Sequence, residues 1–248
     1  MEPIVRVNNL SVVYDKTEIL RNINFEIYPG EIFVIVGGSG CGKSTLLRQI
    51  IGLEIPTTGE IYIDGEEFTT AIGAKREEIL RKFGVLFQSS GLITSMTLFE
   101  NIALPLKAFT KISEERIEQI VRLKLKLVQL EGYENYYPSQ LSGGMRKRAG
   151  IARALALDPP ILCFDEPSSG LDPLTAASLD QLIVNLNNSL GITMIVVTHD
   201  LESILRISHR IIMLDKSTRT IIARGTPNEL KNYRANKIVY NFFNRIAE

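Results

Sequence analysis

The chain has 248 residues, 45% of them hydrophobic, which is long for one ordinary domain and short for two, so a large core with a smaller attached subdomain is expected. Lysine and arginine (28) balance aspartate and glutamate (28), which removes any bulk electrostatic ground for a nucleic-acid or anionic-lipid surface. The two cysteines, Cys41 and Cys163, lack disulfide or zinc spacing and fit a reducing compartment; the longest apolar runs, such as Ile32 to Val36 and Ile192 to Val197, fall well short of the roughly 20 residues that span a bilayer, and the Met1-Glu2-Pro3-Ile4 start has no secretion-signal pattern.

The first sixty or so residues read as β-rich. Ile4 to Val7, Leu10 to Tyr14, Ile23 to Ile27 and Ile32 to Val36 are short apolar or alternating runs separated by turn residues. Ile32 to Val36 is apolar on both faces, which predicts a buried central strand, and the glycines after it must turn the chain into a helix near Lys43. Ile61 to Ile63 leads into an Asp64-Gly65-Glu66 hairpin turn, and Phe83 to Phe87 predicts another buried strand. From Ser113 to Leu130 apolar residues recur at helical spacing, with Ser113 as N-cap and Glu114 and Glu115 in the first turn. Ile161 to Phe164 and Thr193 to Val197 predict strands joined by a helix that starts at Pro173 and ends at Gly191, a parallel strand–helix–strand unit. Arg210 to Leu214 and Thr220 to Ala223 flank a polar turn as an antiparallel hairpin, and Thr226-Pro227-Asn228-Glu229 opens a helix with a capping box.

Chemistry concentrates in three places. Gly37-Gly38-Ser39-Gly40-Cys41-Gly42-Lys43-Ser44-Thr45 satisfies G-x-x-x-x-G-K-S directly after the buried strand and before the apolar pattern Leu46, Leu47, Ile50. Such glycines let backbone N–H groups converge on phosphate oxygens, the helix N-terminus adds positive potential, Lys43 reaches the outer phosphates of ATP and Ser44 coordinates Mg2+. Ile161 to Phe164 ends in Asp165-Glu166: Asp165 is expected to hold the metal through water, and Glu166 to polarise the attacking water. Leu141-Ser142-Gly143-Gly144-Met145 is a second small-residue turn before a helix, followed by Arg146, Lys147 and Arg148, a run expected to be a solvated, phosphate-facing surface rather than a nucleic-acid site.

A phosphate loop, then Leu-Ser-Gly-Gly, then an apolar strand ending in Asp-Glu, in this order and at these separations, resembles the nucleotide-binding subunits of ABC transporters over nearly the whole chain. The resemblance implies an α/β fold: a P-loop NTPase core of ABC type, a mixed sheet with an antiparallel N-terminal β subdomain (1–87 and 157–230), plus an α-helical subdomain (88–156) and a short tail (231–248). It implies that Tyr14 stacks on adenine, with a half-exposed strand aromatic as the alternative. It places Gln88 at the Q-loop, reaching Mg2+ or the attacking water, Asp172 in the D-loop Ser169-Gly170-Leu171-Asp172, and His199 at the switch histidine by the γ-phosphate. Ser142, Gly143 and Gly144 are implied to act in trans with Asp172, on ATP held by a second copy of the chain, so two copies would sandwich two ATP molecules. His209 reads as structural, Cys163 as a buried hydrophobe, and Cys41, at a helix N-terminus, as a thiol whose pKa could be lowered.

The segment from Ser89 to Leu106, rich in adaptable apolar side chains, corresponds in the family to the groove that receives a helix of a polytopic membrane permease. Phe87-Gln88-Ser89-Ser90-Gly91-Leu92 and Met145 in place of the commoner glutamine resemble the lipid-trafficking ATPases of the Mla type, which work with an MCE-domain protein and often a STAS-domain protein. The implied location is the cytoplasmic face of the inner membrane. Alternatives are the ATPase of an amino-acid or lipoprotein transporter using the same engine and, more remotely, a non-transport ABC ATPase.

Overall fold

The computed structural model describes residues 2–246. In chain order the first elements are β1 (Val5–Tyr14), β2 (Thr17–Ile27), β3 (Ile32–Gly37), α1 (Lys43–Ile50), β4 (Thr58–Ile63), β5 (Glu66–Glu67), α2 (Gly73–Leu80), β6 (Phe83–Leu86), α3 (Leu98–Phe109) and α4 (Glu114–Leu127). A 3-10 turn (Pro138–Gln140) leads into α5 (Gly143–Ala154), β7 (Ile161–Asp165), α6 (Pro173–Leu190), β8 (Thr193–Val197), α7 (Leu201–Ile207), β9 (Arg210–Leu214), β10 (Ile221–Gly225), α8 (Pro227–Lys231) and α9 (Lys237–Asn244). Residues up to Leu80 and those from Thr193 onward make one compact unit; Arg81–Ile192 make the other.

In the first unit an antiparallel sheet runs β2-β1-β4-β5. The two short strands expected at Ile4 to Val7 and Leu10 to Tyr14 are one strand, β1, interrupted at Asn9, whose φ of 48° and the register break beside it make a bulge. Asp15 and Lys16, at φ 44° and 71°, turn β1 into β2 in the left-handed geometry that suits a two-residue hairpin. In the same unit β3 lies between β8 and β9 with parallel register on both sides, and β10 pairs antiparallel with β9. Every residue of β3 and of β8 is buried, as continuous apolar runs require of strands covered on both faces. His209 is structural here: its Nδ1 accepts from the Ile32 N–H at 3.1 Å, and its own N–H donates to the Ile32 carbonyl at 2.9 Å.

In the second unit β6 and β7 are parallel, and α3, α4 and α5 pack on one another. α4 stops at Leu127, short of the expected Leu130, because Gln129 takes φ 62°. Four helices, α2, α3, α7 and α9, come without a sequence expectation. α3 is opened by a Thr97/Glu100 capping box, and its Asn101 amide, fully buried, is held by the carbonyls of Ile93, Met96 and Thr97. α2 has a polar middle, Lys75 to Glu78, and Ile79 is its one buried side chain, so no apolar stripe at helical spacing marks it. The tail expected over 231–248 contains α9, capped by Asn236 and burying Val239 and Phe243, while its last two residues lie outside the described ones.

Candidate functional site

The loop from Gly37 to Gly42 leaves the end of β3 and becomes α1 at Lys43. Gly37 has φ 149° and a Cβ there would lie 2.4 Å from the Leu214 carbonyl oxygen, so only glycine fits at the point where the chain turns off the sheet. The Lys43 ammonium donates to the Gly37 and Gly38 carbonyls at 2.9 and 3.2 Å, which holds it folded back across the loop, while Gly38, Ser39 and Gly40 remain exposed. Ser44 and Thr45 follow in the first turn of α1, half-buried, and no acidic residue occupies that turn, so its positive N-terminal potential is not neutralised locally.

His199 belongs to the same unit. β3 and β8 are in parallel register with Ile35 opposite Val197, so Gly37 and His199, each two residues further on, leave the sheet at the same carboxyl edge, where open α/β sheets bind ligands. Thr198 is fully buried and His199 is exposed. Tyr14, at the end of β1, is 41% exposed, leaving ring surface open, and its hydroxyl donates to the Glu54 carboxylate, which also accepts from Gln49 at 3.0 Å. Burial, then the Glu54 hydrogen bond, raises the Tyr14 pKa, keeping it a neutral ring.

Cys41 corrects the sequence expectation. Its side chain is buried, and that desolvation raises the thiol pKa despite the nearby Lys43 charge, so it is a packed hydrophobe rather than an activated thiol. Cys163 is fully buried, and burial alone raises its pKa.

The remaining candidates lie in the second unit. β6 and β7 pair with Leu86 opposite Phe164, so Gln88 and Glu166 again emerge two residues on, from one carboxyl edge. Asp165 ends β7, half-buried; Glu166, directly before Pro167, takes φ 49°, a left-handed conformation that a side chain rarely adopts and that collects at functional positions. The exposed Gln88 amide donates to Ser169 Oγ at 3.2 Å. Ser142 is the N-cap of α5, its hydroxyl accepting from the Met145 N–H at 3.2 Å, and Gly144 is buried beneath it. Asp172 caps α6, accepting from the Leu174 and Thr175 N–H groups at 3.1 and 3.0 Å.

The basic run is only in part the solvated surface expected, since Arg146 is exposed, Arg148 half-buried and Lys147 buried. Arg146 donates to the Leu141 carbonyl at 2.6 Å, Arg148 to the Val128 carbonyl and to Gln129 and Ser178, and Lys147 is only 6% exposed. Helical geometry explains it: Gly144, Lys147 and Ile151 recur at i, i+3, i+7 along the buried stripe of α5. Counting that spacing from the Ser142 cap would have found it.

A family model described as ABC transporter matches residues 20–169. The chain belongs to the ABC transporter ATPase family. It is 40% identical over 228 residues to the intermembrane phospholipid transport system ATP-binding protein MlaF of Haemophilus influenzae, covering 92% of this chain and 85% of that one. It is 45% identical over 198 residues to the probable ribonucleotide transport ATP-binding protein mkl of Mycobacterium bovis, covering 80% of this chain but only 55% of the mycobacterial one. Among solved structures it resembles a dimeric post-hydrolysis state of the ATP-binding cassette MJ0796 bound to ADP and Pi, at TM-score 0.81 and 36% identity, covering 90% of this chain and 98% of that chain. The chain is thus an ABC ATPase with the α/β cassette fold: a mixed sheet, an antiparallel β subdomain and helical elements. This ABC ATPase binds and hydrolyses ATP as the motor subunit of a transporter.

Proposed function

We propose that this ABC ATPase powers phospholipid transport between the inner and outer membranes, in a system of the Mla type. The observation that carries this reading is the likeness to MlaF, which spans nearly the whole of both chains. Two copies would sandwich two ATP molecules, a reading supported by the dimeric state of the MJ0796 cassette. Within each copy the phosphate loop Gly37 to Thr45 would bind the triphosphate and Tyr14 the adenine, while Ser142, Gly143, Gly144 and Asp172 would act on the nucleotide of the other copy. Glu166 would accept the proton of the attacking water, with Gln88 and His199 fixing its position and the γ-phosphate. The hydroxyl of Ser44, the amide oxygen of Gln88 and, through water, the Asp165 carboxylate would supply hard oxygen donors of the kind Mg2+ takes, and the ion would neutralise charge on the β- and γ-phosphates.

No helix among the described residues is long and apolar enough to cross a membrane, and the chain is proposed to sit at the cytoplasmic face of the inner membrane through a polytopic permease. Support comes from the exposed Ile93 and Leu104 along the segment Ser89 to Leu106 expected to receive it. An MCE-domain protein and a STAS-domain protein are further proposed partners, and the division into a core (1–87, 157–230), a helical subdomain (88–156) and a tail (231–248) is retained as the functional division. The likeness to mkl, described for ribonucleotide transport, favours a second reading in which the same motor serves another cargo. Purifying the tagged chain from membranes and identifying what comes with it separates the two. A permease, an MCE-domain protein and phospholipid support the first reading; a soluble receptor for a polar solute overturns it.

A further inference from the structure

Lys147 is a buried lysine whose ammonium is turned onto the main chain. Its Nζ donates to the Gln88 main-chain carbonyl at 2.6 Å and to the Glu166 main-chain carbonyl at 3.3 Å. Burying an ammonium is costly unless its donors are used, and here they are spent on the backbone of the two residues proposed to hold the attacking water. Glu166 is the residue at φ 49°, and its carbonyl also accepts from the Ser169 N–H at 3.2 Å. A backbone in that region persists only where its surroundings over-determine it.

The helix that delivers Lys147 is itself clamped. A Cβ on Gly150 would lie 2.5 Å from Leu86 Cδ1 and 2.8 Å from the Ser90 carbonyl oxygen, so α5 rests directly on β6 and on the turn that carries Gln88. The Arg153 guanidinium, about one turn beyond Gly150, donates to the Gly91 carbonyl. Burial lowers the Lys147 pKa, and the Asp165 and Glu166 carboxylates oppose that.

We propose that Lys147 is a positioning residue for ATP hydrolysis: from the first turns of α5 it pins the Gln88 and Glu166 carbonyls and thereby holds the Glu166 side chain on its reacting line. The inference rests on the reading of Glu166 as the base. It also gives α5 two jobs, since its N-terminal cap Ser142 is proposed to meet the nucleotide of the other copy. Closure on that nucleotide would be felt at this chain's own Glu166.

The test measures Mg-ATP turnover and nucleotide affinity of the full chain, at a protein concentration where the wild type is active. Lys147→Met keeps the buried stem and removes the donors. It should lower kcat at least tenfold while leaving the nucleotide Kd within twofold, and Lys147→Arg, which restores donors, should recover part of kcat. Lys124→Met is the control for mere destabilisation: Lys124 is another buried lysine of this unit, paired with Asp158, and its loss should lower Tm without lowering kcat. Should Lys147→Met not fold, Lys147→Arg and Lys147→Gln carry the test, with kcat ordered by the donors retained. Wild-type kcat in these variants while Glu166→Gln is inactive overturns the role of Lys147 alone. An equal fall of kcat in Lys124→Met at a comparable fall of Tm overturns it equally. Full turnover by Glu166→Gln overturns the underlying assignment of Glu166 instead.

Discussion

The Cβ that Gly144 lacks would lie 2.5 Å from Cγ2 of Thr175. Thr175 cannot rotate its methyl away freely, because its hydroxyl donates to the Asp172 carboxylate at 2.5 Å. The second glycine of Ser142-Gly143-Gly144 is therefore a packing requirement against α6 as much as an opening for phosphate. Gly144→Ala should destabilise the fold by about 1–3 kcal/mol through overpacking. The double variant Gly144→Ala/Thr175→Ser, which removes the clashing methyl and keeps the hydroxyl, should recover most of it. Urea unfolding of the four proteins closes the cycle; strictly additive effects would refute the contact.

Gly37 admits no such relief. The atom opposing its missing Cβ is the backbone oxygen of Leu214, and the Cys41 sulfur stands 2.6 Å away. Gly37→Ala combines an unfavourable φ with a backbone clash and should cost at least about 2 kcal/mol. A shifted urea midpoint at unchanged slope would verify it.

Tyr14 offers a separable test of adenine stacking, because its hydroxyl is engaged by Glu54 and its ring is not. Tyr14→Phe should leave ATP affinity within about twofold, whereas Tyr14→Ala should weaken it by the ~1–3 kcal/mol typical of one base stacked on an aromatic ring. Calorimetric titration with ATP and with inorganic triphosphate distinguishes the ring's effect: only the adenine-bearing ligand should respond.

Asp172 supplies a pH dependence. The Thr175 hydroxyl, then the N–H groups at the start of α6, hold its carboxyl below the ordinary value of 3.8. A carboxylate depressed on folding contributes stability above its unfolded value and loses it as pH falls through the lower folded value. Asp172→Asn should therefore be less stable than wild type at neutral pH, and the two unfolding midpoints should converge below pH 3.8. A constant gap down to strongly acid pH would contradict this.

Much of the site was legible without coordinates because its parts are local. A G-x-x-x-x-G-K-S loop after an all-apolar strand, an apolar strand ending in Asp165-Glu166, and Ser-Gly-Gly before a helix each encode their backbone within about ten residues. The same holds for the capped helices α4, α6 and α8, whose start signals Ser113, Asp172-Pro173 and Thr226-Pro227 lie in the first turn. The Thr97/Glu100 box carried equal information for α3 and was obscured by the apolar run around it.

What the chain's own letters could not decide is which polar groups are consumed internally, because that depends on partners far away in sequence. Lys147 reads as one more cation beside Arg146 and Arg148 until α5 turns it inward onto carbonyls 59 and 19 residues away. Cys41 reads as a thiol at a positive helix end until packing buries it, and desolvation outweighs the Lys43 charge. Gly37 and Gly144 read as freedom, and only the neighbours Leu214 and Thr175 make them obligatory. Sequence by itself determined the chemistry on offer, since that chemistry resides in short motifs; tertiary structure decided which of those groups are left to act, since burial and hydrogen-bond partners are properties of the packed chain.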